Sequence, residues 1–313
     1  MPPNLITKMN HFIRADQLTT SLIQSLFDLS DEMPALRKST SKPLAGKILA
    51  NLFFEASTRS RMSFESAFLY LGGQVNSTVG VTFSSLAKGE SLEDTIKVIS
   101  SYCDVMVIRH PNQGSAEIAA KFASVPVINA GDGPGEHPTQ ALLDLYTIYK
   151  ETGRVSDLHI VMMGDLKYGR TIHSLLRLLA LYPQQKITCV APKELQLPAE
   201  LQDLLVKKHM VNMIFTDDLD SSLSDADILY ATRIQKERFQ DPQQAHYYEG
   251  LYVLDEEKLK RAPDALRILH PLPRLSEITP SIDHQAQAAY FRQATNGLYV
   301  RMALFLKLLG ISP

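Results

Sequence analysis

Short apolar runs alternate with helix-patterned stretches along almost the whole chain, and this rhythm constrains the fold more than any other feature. Runs at 47–54, 104–109 and 126–129 read as strands, separated by helical patterns at 58–71, 92–102 and 116–122. After Gly153 the alternation restarts, with strand-like runs at 158–163, 187–190, 211–215, 227–231 and 266–270. Strands that are apolar throughout and joined by helices are covered on both faces, as in a parallel sheet. The expected class is therefore α/β, with two domains, each a parallel β-sheet flanked by helices. A chain of 313 residues also exceeds what one core commonly supports.

The boundary is expected near 150/151, because the helical pattern 139–150 runs out at Gly153, which can take a left-handed cap. The closing pattern 297–309 is helical and apolar on one side, and the pattern alone does not say which domain it covers.

Acidic and basic residues nearly balance, 34 against 32, with no long block of either sign. The field that nucleic acid or an anionic membrane requires is missing, so neither partner is expected. No apolar run approaches the ~20 residues that span a bilayer, and residues 1–14 lack the apolar core of a secretory signal. The expected location is cytoplasmic. Cys103 and Cys189, in apolar strand-like stretches without paired spacing, read as reduced core thiols, with no disulfide and no zinc cage.

Parallel sheets gather function at the carboxyl ends of their strands, and the unusual polar residues of this chain fall at those ends in succession. Ser57, Thr58, Arg59 and Ser60 follow the first run and open a helix, where unpaired amides, the positive end of the dipole and a guanidinium form a socket for an oxyanion such as phosphate. The competing reading of this segment alone is a capped helix with Arg59 paired to Glu55. Arg109, His110 and Pro111 end another run, and Gly131-Asp132-Gly133 leads into His137-Pro138-Thr139-Gln140. The stretch 164–170, ending in Arg170, leaves the first strand of the second domain; Arg233 and Gln235 follow a later strand, and 270–274, ending in Arg274, the last. Arginines collected at strand ends repel unless anions lie among them, so they imply a polyanionic ligand, although each alone also reads as a surface ion pair.

His137 precedes Pro138, a first-turn residue, so its ring reads either as a neutral donor beside helix-start amides or as a plain cap. Gln140 falls one turn later and is suited to reading another amide. Lys88 sits in a polar, glycine-containing loop with Ser85, and by itself reads as a solvated lysine. The 164–169 turn lacks the Gly-x-Gly-x-x-Gly order, and no Walker sequence, nucleophile elbow or His-Glu-x-x-His helix occurs. Nicotinamide binding, nucleotide hydrolysis, serine-ester chemistry and zinc catalysis therefore lack support.

Ser57-Thr58-Arg59-Ser60-Arg61, His137-Pro138-Thr139-Gln140 and His270-Pro271-Leu272-Pro273 together resemble the signature of the carbamoyltransferases, over nearly the whole chain. Segments 165–171 and 232–238 resemble its aspartate branch. The ornithine branch, the nearest alternative, carries a cysteine where this chain has Leu272 and a Ser-Met-Gly segment that is missing here. Arg170 and Arg233 also suit a dicarboxylate and repel a cationic side chain. An inactive homologue serving as a scaffold is the other alternative, against which the intact set of cations stands.

The resemblance implies transfer of the carbamoyl group of carbamoyl phosphate to L-aspartate, giving N-carbamoyl-L-aspartate and phosphate in pyrimidine synthesis, with no cofactor and no metal. It assigns carbamoyl phosphate to a domain of residues 1–150 completed by a returning helix at 288–313, and aspartate to 151–287. By residue, it implies that Ser57, Thr58, Arg59, Ser60 and Arg109 hold the phosphate, while Arg109, His137 and Ser60 surround the carbamoyl oxygen. Gln140 and the backbone carbonyls of Pro271 and Leu272 would orient the carbamoyl amide and the incoming amine. Arg170, Arg233 and Gln235 would bind the aspartate carboxylates, with Lys88 bridging the two substrates. Ser85 and Lys88 would come from the neighbouring subunit, so the implied assembly is a homotrimer with shared active sites. Ser60 stands where the family most often has threonine, and keeping the hydroxyl implies only a modest penalty. Asn112 and Gln113 depart from the enterobacterial pattern near a surface that meets regulatory chains there, which leaves such partners open.

Overall fold

The computed structural model describes residues 10–80, 89–239, 241 and 246–313, and it forms two compact units, one running through Thr139 and resuming at Gly297–Pro313, the other Gln140–Asn296. In the first unit β1 (Ile48–Phe53), β2 (Gln74–Val79), β3 (Val105–His110) and β4 (Val127–Asp132) form a parallel sheet in the order β2-β1-β3-β4. Helices α1 (Thr20–Lys38), α2 (Thr58–Tyr70), α3 (Leu92–Ser100) and α4 (Ser115–Phe122) accompany it. The apolar runs read from the sequence are β1, β3 and β4, whose side chains are almost all buried.

Two elements of this unit carry little sequence signal. The β2 sequence QVNSTV is polar and lies exposed along a sheet edge, so no apolar alternation announces it. Helix α1 is capped by Thr19, whose Oγ1 accepts the Leu22 N–H at 3.3 Å, and buries Ile23, Leu26, Phe27 and Met33.

In the second unit β5 (His159–Met163), β6 (Lys186–Val190), β7 (Asn212–Thr216), β8 (Ile228–Ala231) and β9 (Arg267–Leu269) are parallel in the order β7-β6-β5-β8-β9. The chain winds outward from β5 in one direction to β7 and then in the other to β9, so the topology reverses at the adjacent pair β5 and β8. Their carboxyl ends form the crevice where such sheets bind ligands. Gly164 leaves β5 at φ +113°, and a Cβ there would meet the Thr232 carbonyl oxygen at 2.1 Å, so only glycine lets the two strand exits lie this close. In the first unit the reversal lies at β1 and β3, where the Phe54 N–H donates to the Arg109 carbonyl at 2.8 Å.

The compact units divide at 139/140 and 296/297, inside two helices, whereas the sequence placed the boundaries at 150/151 and 287/288. Within helix α5 (Pro138–Thr152), Asp144 accepts hydrogen bonds from Tyr230 and Gln293 at 2.6 Å each, and Glu151 pairs with Arg292 at 2.7 Å. These bonds tie most of α5 to the second sheet. A capping glycine marks where a helix stops, not where a packing unit stops. The final helix, Tyr290–Leu309, ends in the first unit: Phe305 meets Phe64 and Phe68 edge-on at 6.0 and 4.9 Å, and Arg301 donates to the Ser63 hydroxyl at 2.8 Å. The closing helix therefore covers the first unit, the choice that its pattern alone left open.

Cys189 is buried in β6 as its apolar context suggested, but Cys103 lies half-buried in the turn after α3 rather than in a strand. Burial lifts the two thiols to about 12 and about 11 respectively, which keeps both protonated at neutral pH.

Candidate active site

The first unit supplies a helix start, a guanidinium and a histidine. Ser57 precedes α2 with extended backbone, φ −164° and ψ 97°, and its hydroxyl makes no capping bond. The capped-helix reading therefore does not hold at Ser57, whose hydroxyl stands at the helix start, where an anion is favoured. Thr58 and Arg59 are exposed, and Ser57 and Ser60 are half-exposed beside them.

Arg109, at the end of β3, is only 12% exposed along its side chain; it donates to the Ala130 carbonyl at 3.2 Å and pairs with Glu55 at 2.8 Å. One guanidinium thus links the carboxyl ends of β1, β3 and β4, which fixes its direction before any ligand arrives.

The segment from β4 to α5 is held by Asp132, a buried carboxylate that accepts from Gly114 N–H at 2.9 Å, Asn129 Nδ2 at 3.2 Å and Glu136 N–H at 2.8 Å. Gly133, at φ +56°, donates its N–H to the His110 carbonyl at 2.7 Å. His137 follows this loop, buried at the start of α5, with its Nδ1 3.5 Å from the Thr139 hydroxyl.

The second unit gathers its groups at the carboxyl ends of β5, β8 and β9. Arg170 is a buried first-turn residue of α6 (Arg170–Leu179). Asp165, fully buried after β5, accepts the Tyr168 N–H at 3.0 Å and the Gln235 N–H at 3.1 Å, so the loops carrying Arg170 and Gln235 are joined. Burial raises the Asp165 carboxyl, against the opposing pull of those two amides.

Arg233, directly after β8, donates to both oxygens of Glu237, at 3.0 and 2.5 Å. The hydrogen bond to Arg233 holds the Glu237 carboxyl below its ordinary range despite partial burial.

Beyond β9, Leu272 sits at φ +53°, and its N–H donates to His270 Nδ1 at 2.7 Å. His270 Nε2 faces Glu277 Oε1 at 2.8 Å. This arrangement shapes the backbone at Pro271 and Leu272.

Each unit holds its share of the sequence-read residues: Ser57, Thr58, Arg59 and Ser60 after β1, Arg109 at the end of β3 and His137 just before α5 in one, and Gln140 on α5, Arg170 after β5, Arg233 and Gln235 after β8, and Pro271 and Leu272 after β9 in the other. Ser85 and Lys88 lie outside the described residues. Arg274 is a correction to the strand-end series: it is bound to Asp283 through both guanidinium arms and to the Tyr290 hydroxyl, so it is a structural cation. Sequence reasoning passed over Asp165, Glu237, His270 and Glu277 as partners. The Arg233–Glu237 spacing of four was the one local signal available among them.

Residues 10–150 match the family model described as aspartate/ornithine carbamoyltransferase, carbamoyl-P binding domain, and residues 156–308 match the accompanying Asp/Orn binding domain. An aspartate carbamoyltransferase catalytic subunit from Archaeoglobus fulgidus is 48% identical over 299 residues, 95% of this chain and 98% of the relative. The subunit of the same name from Clostridium novyi is 46% identical over 289 residues, 92% and 94% of the two chains. Among solved structures, the catalytic subunit of M. jannaschii aspartate transcarbamoylase superposes with a TM-score of 0.90 at 45% identity, covering 96% of this chain and 98% of that one. Aspartate transcarbamoylase from Trypanosoma cruzi in complex with carbamoyl aspartate and phosphate superposes with a TM-score of 0.91 at 38% identity, covering 98% of both chains.

Proposed function

The chain belongs to the aspartate/ornithine carbamoyltransferase family, and from that premise we propose a role for each of its site residues. Its activity is the transfer of a carbamoyl group from carbamoyl phosphate to L-aspartate, giving N-carbamoyl-L-aspartate and phosphate. The observation that carries this is near-full-length identity of 44–48% to subunits that bear that activity's name.

In the proposed division of labour, the first-turn amides of α2 with Ser57, Thr58, Arg59 and Ser60 hold the phosphate. Arg109 reaches both a phosphate oxygen and the carbamoyl oxygen, and His137 and Ser60 donate to the latter. The aspartate amine attacks the carbamoyl carbon, negative charge grows on the carbamoyl oxygen, and donors fixed in place favour that tetrahedral state over the planar substrate. The carbon–oxygen bond to phosphate then breaks, phosphate leaves with the electron pair, and the amine proton passes to it. No side chain has to act as a nucleophile, so positioning provides most of the acceleration.

Gln140 and the carbonyls of Pro271 and Leu272 orient the carbamoyl amide and the amine. Arg170, Arg233 and Gln235 hold the two carboxylates of aspartate, and the Arg233–Glu237 pair supports this by setting the guanidinium direction. Ser85 and Lys88 complete the site from a neighbouring subunit, which makes the working assembly a homotrimer. The enzyme serves pyrimidine synthesis in the cytoplasm.

The test is to incubate the purified protein with carbamoyl phosphate and either L-aspartate or L-ornithine, measuring phosphate and carbamoylated product. Product from aspartate alone is expected; product from ornithine alone overturns the reading.

A further inference from the structure

We infer that Asp144 and Gln293 are positioning residues for the transfer, joining the Gln140 amide and the backbone of the 270–273 loop through one buried hydrogen-bonded chain. The inference rests on the roles given above to Gln140, Pro271 and Leu272.

The chain can be followed atom by atom inside the second unit. Asp144 is fully buried on α5, and its Oδ1 accepts from Gln140 Nε2 at 2.7 Å and from Gln293 Nε2 at 2.6 Å, while its Oδ2 accepts from the Tyr230 hydroxyl at 2.6 Å. Gln293, itself 1% exposed, turns its Oε1 to the His270 N–H at 2.8 Å. His270 Nδ1 then accepts the Leu272 N–H at 2.7 Å, and its Nε2 lies 2.8 Å from Glu277 Oε1.

The direction of every bond follows from the two ends. A carboxylate only accepts, so Gln140 and Gln293 must both point their nitrogens at Asp144. For Gln140 this leaves Oε1 as the end of the amide that meets a ligand, an acceptor suited to the –NH₂ of a carbamoyl group. For Gln293 it presents Oε1 to the backbone of His270. Because Nδ1 accepts from Leu272, His270 carries its proton on Nε2, and that N–H donates a hydrogen bond to Glu277. The left-handed Leu272 backbone, at φ +53°, is unfavourable for a branched side chain and is held by the bond from its N–H to the ring.

One carboxylate thus sets which way Gln140 reads its ligand and, through Gln293, where the Pro271 and Leu272 carbonyls stand. Both ends bear on the same small group, the carbamoyl amide. A neutral chain of amides gains this fixed polarity only from an acceptor that cannot flip.

The test compares carbamoyl phosphate with acetyl phosphate, which replaces the –NH₂ by a methyl group of the same size. Gln140→Ala, Gln293→Met, Asp144→Leu and Asp144→Asn are each assayed with both acyl donors, and folding is followed by circular dichroism. Gln293→Met and Asp144→Leu are expected to lower kcat with carbamoyl phosphate about a hundredfold, with KM for L-aspartate changed less than about threefold. Acetyl transfer falls less, so the preference for carbamoyl phosphate narrows by at least about tenfold. Asp144→Asn keeps a carbonyl oxygen but can flip, so it lowers the rate and narrows the preference in the same direction as Asp144→Leu, by a smaller factor. If Asp144→Leu fails to fold, Gln293→Met decides alone. Equal losses with both donors, or an unchanged preference in folded Gln293→Met, overturn the inference while leaving Gln140 in its role. An unchanged preference in Gln140→Ala overturns that role as well.

Discussion

Arg233 and Glu237 form a two-pronged pair four residues apart in the chain, with guanidinium-to-carboxylate distances of 3.0 and 2.5 Å. Four rotatable bonds leave an arginine free to sweep a wide cone. The pair removes that freedom in advance, so the cost of ordering Arg233 is met before aspartate binds.

Glu237→Ala is accordingly expected to raise KM for L-aspartate about tenfold while KM for carbamoyl phosphate stays within about twofold. Stability should change by less than about 1 kcal/mol, since the Glu237 side chain is 53% exposed. Steady-state kinetics with each substrate varied in turn, alongside a thermal melt, checks both statements.

Arg109→Lys keeps the charge but loses the fork that reaches Glu55 and Ala130 together. A kcat loss of about a hundredfold to a thousandfold is expected, comparable to removing one donor from an oxyanion site. Binding of carbamoyl phosphate, followed by calorimetry, should weaken far less than the rate falls. Weakened binding with kcat unchanged would place Arg109 in ground-state binding only.

Arg59→Ala and Lys88→Ala enzymes should each be inactive, yet mixing them under conditions that exchange subunits should restore activity. With random exchange at equal amounts, roughly a quarter of the shared sites receive an intact arginine from one chain and an intact lysine from its neighbour. Recovery near that fraction supports the shared site. No recovery after exchange verified by native mass spectrometry counts against it.

Asp104 joins the starts of β1 and β3, accepting from Lys47 Nζ and from the Ile48 N–H at 2.8 Å each. Partial burial pushes its carboxyl up, but these two donors outweigh it and hold the carboxyl below the ordinary value of 3.8. A depressed folded value contributes stability that is present above 3.8 and is lost as pH falls through the folded value. Asp104→Asn should therefore lower the urea midpoint at pH 7. The gap from wild type should close as pH falls below 3.8. A gap that stays constant down the titration would sink the assignment.

Much of the site was legible because its residues are adjacent in the chain. Arg59 stands two residues after Ser57 at a strand-to-helix turn, and His137, Pro138 and Gln140 lie within one helical turn, so local spacing already gives their geometry. The residues that hold them were not legible. Asp144 and Gln293 are 149 positions apart, and His270 and Gln293 are 23 apart, so nothing in their spacing predicts a bond. Arg274 shows the converse: at a strand end it looks like a ligand cation, and only the fold brings Asp283 and Tyr290 to it.

By itself the sequence determined the buried strands, the alternation that makes the sheets parallel, and the cationic helix start, since each depends on side chains within a few positions of one another. The tertiary structure alone decided that β2 pairs as a polar edge, that the unit limits fall inside α5 and the final helix, and which buried acceptor turns each amide. Those outcomes depend on strand order and on contacts distant in sequence. A hydrogen bond of that kind exists only once loop closure has brought its partners within about 3 Å of each other.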